Sequence, residues 1–127
     1  MINTKNEFTE EMYQYGKSLI ECLDKEGFIY PLVMWIKFPD KEEWSLLFGI
    51  PGLKIIGSPD ILNNMKRIIN KNELNISAEN ISLIDSMDEL FINIKSCIRL
   101  SGISRMKVSS TQMNNMILPE SVYYRVS

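Results

Sequence analysis

The chain has 127 residues, 45% of them hydrophobic and 24% charged, with a net charge of -2. Those values fit one folded domain able to bury its own core without metal or disulfide staples, and exclude a chain disordered overall. No apolar run approaches the roughly 20 residues that span a bilayer, and the polar, acidic N-terminal stretch lacks the basic start and apolar core of a signal peptide. The expectation is therefore a cytoplasmic protein with no membrane contact.

There is no histidine. That removes Ser-His-Asp and Cys-His nucleophiles, histidine-ligated metals and the usual neutral-pH acid–base group. No catalytic residue, cofactor or metal site is expected, and an enzyme is the disfavoured class. Cys22 and Cys97 read as small buried hydrophobes on helices. The charge is uneven: residues 1–50 hold five Lys/Arg and nine Asp/Glu, whereas residues 91–127 hold five Lys/Arg and a single acid, Glu120.

Thr4-Lys5-Asn6-Glu7 has the form of a capping box. Phe8, Met12, Tyr15, Leu19 and Leu23 follow at helical spacing, and Gly27 suits the left-handed position after the last turn. Two strands come next. Leu32, Met34, Ile36 and Phe38 alternate on the first, and Trp44, Leu46, Phe48 and Ile50 on the second. A turn at residues 39–43 sets Phe38 opposite Trp44, Ile36 opposite Leu46 and Met34 opposite Phe48. The other face, with Val33, Trp35 and Leu47, is apolar too, as in a strand pair central to a sheet covered on both sides.

Ser58-Pro59-Asp60 opens a second helix, with Ser58 as its cap and Ile61, Leu62, Met65, Ile68 and Ile69 on one face. Residues 70–80 form a polar connection to a short strand, residues 81–84. Ser86-Met87-Asp88-Glu89 is a second capping box. It starts a third helix with Leu90, Phe91, Ile94, Cys97 and Ile98 inward, ended by Gly102. Residues 103–109 read as a strand, residues 109–115 as part of a loop, and residues 121–127 as a last strand. There Val122, Tyr124 and Val126 share one face, and Tyr123 and Arg125 the other. The order α-β-β-α-β-α-β-β predicts a single mixed α/β domain over residues 1–127, with about five strands in a mixed sheet and three helices.

The glycines of "FGIPGLKIIGSPD" make neither a Walker A loop nor a dinucleotide fingerprint, and are assigned to a bend and a helix entry. Lys54, Ser58, Asp85 and Ser86 are a candidate cleft at the carboxyl ends of strands. Asp85 and Asp88 there compete with any anionic ligand. Asp40, Glu42 and Glu43 sit on a turn and are expected to be solvated. Lys95, Arg99, Arg105 and Lys107 form the one basic constellation, a candidate nucleic-acid surface. Trp35, Leu47 and Tyr123 are candidates for a partner surface, since aromatic residues are enriched at interfaces.

Two segments resemble known proteins in pattern. "LVMWIKFPDKEEWSLLFGIP", with a Trp in each arm and a Pro-Asp turn, is similar to the central hairpin of a family of small uncharacterised bacterial proteins. "SGISRMKVSSTQMNNMILPESVYYRVS" resembles their ending, in which a Gly-Ile pair opens a strand, an Asn-containing loop follows and a Tyr-rich strand closes. The chain has Asn115 and Met116 where those proteins usually have a glycine. The resemblance implies no activity. The reading that follows from the residues is a non-enzymatic accessory or regulatory protein that binds another protein or a second copy of itself, with a nucleic-acid-associated component as the alternative.

Overall fold

A computed structural model describes residues 7–127. The sheet has five strands: β1 (Leu32–Ile36), β2 (Ser45–Ile50), β3 (Ile81–Asp85), β4 (Met106–Val108) and β7 (Ser121–Val126). They lie in the order β3-β2-β1-β7-β4. β2 and β3 are parallel and the other pairs antiparallel. β5 (Thr111–Met113) and β6 (Met116–Leu118) form a separate hairpin. The mixed α/β domain expected from the sequence is what forms, with four α-helices rather than three: α1 (Glu10–Lys25), α2 (Leu53–Ile56), α3 (Ser58–Lys71) and α4 (Glu89–Cys97).

β1 and β2 are buried at every position. Val33, Trp35, Trp44, Leu46, Phe48 and Ile50 belong to one core, packed with Met12, Leu19 and Leu23 of α1 and Met65 and Ile68 of α3. Leu32, Met34, Ile36 and Leu47 belong to the other, packed with Phe91 and Ile94 of α4 and Leu118 of the β5–β6 hairpin. The hairpin register is one residue away from the expected one: Trp35 pairs with Leu46, Met34 with Leu47 and Val33 with Phe48. With both faces buried, the apolar pattern is satisfied by either register, and the cover on each side decides between them.

Helix boundaries move for local reasons. The first capping box lies outside the described residues apart from Glu7. α1 instead starts after Thr9, whose hydroxyl accepts from the Met12 amide. Phe8 precedes the helix and packs edge-on against Trp35 and Trp44. Gly27 closes α1 as expected, at φ 87°. Its amide donates to the Asp24 carbonyl and that of Phe28 to the Leu23 carbonyl, the paired bonds of a Schellman ending. Gly57, not Ser58, is the N-cap of α3, and Asp88, not Ser86, caps α4 through the Leu90 amide. α4 stops at Cys97, well before Gly102. Cys97 is left exposed, Cys22 on α1 is half-buried rather than buried, and both are free thiols.

β7 carries a bulge. Val33 of β1 pairs with Arg125 and Met34 with Tyr123, which leaves Tyr124 as the extra residue. The alternation expected over 122–126 therefore breaks. Val122 and Tyr124 enter the first core, while Tyr123 and Val126 enter the second. Arg125 is drawn inside. Its guanidinium makes two bonds to the Asp24 carboxylate, at 2.6 and 3.1 Å, and donates to the Gly102 and Tyr30 carbonyls. The buried charge is thus paired and its donors used.

Candidate functional site

The antiparallel β1–β2 pair sets Pro31, just before β1, beside Pro51, just after β2. β3 runs parallel to β2 and ends at Asp85 on the same side. One end of the sheet thus gathers three connections: the α1–β1 turn, the β2–α2 segment and the β3–α4 corner. Pro31 and Pro51 line two grooves at this rim. The first, about 450 Å³, is also lined by Phe28, Ile29, Ile56 and Ile61. The second, about 590 Å³, adds Ser86, Phe91, Ile92 and Lys95.

Seven large hydrophobic side chains among the described residues are exposed: Phe28, Ile29, Ile55, Ile56, Met87, Ile92 and Ile117. All but Ile117 stand on the segments that build this rim. Ile29 is 65% exposed, Met87 70% and Ile55 92%. Local structure presents them. The Schellman ending turns the chain out at Phe28 and Ile29. Gly52, at φ 75°, begins the short helix that carries Ile55 and Ile56, and Gly57, at φ 93°, ends it. Such backbone conformations are left to glycine. Gly49 serves differently. A side chain there would fall 2.3 Å from the Phe91 ring, so glycine lets Phe91, which lines the second groove, approach the sheet backbone closely.

The corner residues do not form the expected cleft. One Asp85 carboxylate oxygen accepts from the Met87 amide at 2.9 Å and the other from the Lys54 amide at 3.4 Å. Those amide bonds, that of Met87 foremost, hold the Asp85 carboxyl below the usual carboxylate range. Asp85 therefore organises the corner and is occupied in doing so. Ser86 lines the second groove. Ser58 is exposed at the start of α3 and lines neither groove.

The basic constellation is dispersed. Lys95 stands exposed on α4, over the second core. Arg105 is held on the opposite side of the sheet, 2.7 Å from the Glu10 carboxylate and stacked over the Tyr13 ring of α1. Lys107 pairs with Val122, which faces the first core. Arg99 is exposed in the segment after α4. These cations are distributed around the sheet, and one of them is already paired, so phosphate contacts on a single surface find no support here.

Trp35, Leu47 and Tyr123 are wholly buried and offer nothing to a partner in this fold. Trp35 donates its indole N–H to the Tyr124 hydroxyl at 3.0 Å, and that hydroxyl donates to the Tyr13 carbonyl at 2.6 Å. Aromatic enrichment at interfaces was the wrong guide because β1 and β7 lie inside the sheet. Rim residues such as Phe28, Ile29 and Ile56 carry no motif. Their signal was apolar side chains inside turn-forming stretches, "GFIYP" and "GLKIIG", off any helical or strand face.

No helix of the described residues is long and apolar enough to cross a membrane. Set against known proteins, the chain matches no family, no curated protein and no solved structure. The likeness of the hairpin and the ending to small bacterial proteins stays a likeness of pattern.

Proposed function

We propose that this is a non-enzymatic accessory or regulatory protein that acts by binding another protein through the rim around Pro31 and Pro51. One observation carries the reading: of the seven exposed large hydrophobic side chains, Phe28, Ile29, Ile56 and Ile92 line the two grooves, and Ile55 and Met87 stand on the segments beside them. Exposed apolar residues scattered singly are ordinary, whereas a group around grooves marks an interaction site. The partner presents apolar side chains to the two grooves, and the polar margin of Asp60, Asn64, Lys95 and Ser96 is left as a hydrated edge.

The test separates binding from folding. Ile29 and Ile56 are 65% and 48% exposed, so Ile29→Ser combined with Ile56→Ser costs no more than about 1–2 kcal/mol and leaves the fold intact. Proteins that co-purify with the wild type from its native host are lost from the variant. Retention of the same proteins in the same amounts by the variant would place binding elsewhere.

A further inference from the structure

The two edges of the sheet are built differently. β4 is three residues long and exposes Lys107, and short strands and lysines both discourage strand addition. β3 has five residues, with no Lys, no Pro and no break in its register with β2. Ser82, Leu83 and Ile84 are half-exposed along it. Among the described residues, no backbone hydrogen bond outside the β2 ladder reaches Ser82–Ile84; at the two ends the Ile81 amide donates to the Ala78 carbonyl and the Asp85 carbonyl accepts from the Asp88 amide. Alternate residues of an edge strand turn their N–H and C=O groups away from the neighbour, so the middle of this edge, around Leu83, offers donors and acceptors to another strand.

Charge selects the occupant. The only charge on β3 is Asp85, at its carboxyl end. Exposed Lys54 stands beside it, near enough to favour the carboxylate. Exposed Glu79 lies in the 3-10 turn just before Ile81, at the other end. We propose that β3 pairs antiparallel with β3 of a second copy, about a two-fold axis at Leu83, and so joins two five-stranded sheets into one. Ile81 of each copy then faces Asp85 of the other, and Ser82 faces Ile84. The two Asp85 carboxylates sit at opposite ends, whereas parallel pairing would set them side by side. Lys54 of each copy comes to Glu79 of the other, twice by symmetry. Both rims stay open, because the two-fold sends them to opposite ends of the pair.

Sedimentation of the full chain tests this. The wild type moves from monomer to twice the monomer mass as its concentration rises through the micromolar range. Ser82→Lys puts a lysine on the edge beside the axis and gives a monomer at every such concentration, with an unchanged far-ultraviolet circular dichroism spectrum. Lys54→Glu turns both reciprocal attractions into repulsions and raises the dimer dissociation constant about tenfold. Adding Glu79→Lys brings it back. This charge exchange stands as a test even if Ser82→Lys fails to fold. A wild type that remains monomeric throughout, or a dimer whose dissociation constant ignores both Lys54→Glu and its exchange with Glu79, overturns the proposal.

Discussion

Gly16 shows how much one side chain decides in this molecule. It lies in the middle of α1, where glycine costs about 1 kcal/mol relative to alanine. A methyl group there would sit 2.3 Å from the Tyr124 hydroxyl and 2.8 Å from the Trp35 indole nitrogen. The bulged strand and the helix can meet only because that space is empty. Gly16→Ala is therefore expected to destabilise the protein by about 1–3 kcal/mol, the overpacking outweighing the better helix propensity. Urea unfolding of the variant checks the sign, which helix propensity alone would reverse. The same strand carries an alkaline signature. Burial pushes the Tyr123 hydroxyl up to about 12, and burial raises Tyr124 as well. An unfolded tyrosine ionises near 10, so these residues favour the folded state below that pH, and their contribution is lost as pH rises from about 10 towards 12. Their phenolate absorbance is expected to appear together with loss of circular dichroism. Ionisation of all five tyrosines with the fold intact would show that Tyr123 and Tyr124 are not enclosed.

At the scale of elements, β7 carries the most. It lies between β1 and β4, is buried along its length, and through Arg125 holds the end of α1 and the turn at Gly102. Ending the chain after Glu120 removes the pairing on both sides and the apolar groups of Val122, Tyr123, Tyr124 and Val126, each worth roughly 1.5–3 kcal/mol. Their sum approaches the whole stability of such a domain, about 5–15 kcal/mol. The truncated chain is expected to be insoluble or unfolded, and a soluble product with the wild-type unfolding transition would show that the strand is dispensable. Arg125→Ala is milder, at about 1–3 kcal/mol, because it leaves the half-buried Asp24 carboxylate and the Gly102 and Tyr30 carbonyls without their donor. Trp44→Ala is expected to cost about 3–5 kcal/mol through the cavity it leaves. Periodicity made the elements legible: each strand of the main sheet and the three longer helices follow from spacing and turn residues. It failed where two options satisfied the same pattern. β1 and β2 are apolar on both faces, so a one-residue slip left no polar side chain to object. Tyr124 looked like one more alternating residue, because a bulge is visible only in the strand opposite. "SSTQMNN" reads as a loop because β5 and β6 are three residues each, held by contacts to α4 such as the Asn114 bond to Asn93.

The whole molecule has one closed side and one open end. Both faces of the sheet are covered, by α1 and α3 on one side and by α4 with the β5–β6 hairpin on the other. The rim around Pro31 and Pro51 keeps Phe28, Ile29, Ile56, Met87 and Ile92 in water. Trp35, Leu47 and Tyr123, the partner-surface candidates of the sequence, are core, since such side chains mark interfaces only when the fold leaves them outside. Juxtaposition of the rim residues depends on the strand order, which local pattern does not encode. The central claim is that this end of the molecule is a docking surface. A photoreactive benzophenone side chain placed at Ile29, irradiated in the native host, tests it directly, with the same group at exposed Lys66 on α3 as the control. The account predicts a discrete adduct with another protein from position 29 and none from position 66. No adduct at all from position 29, or the same adducts from both positions, would contradict it.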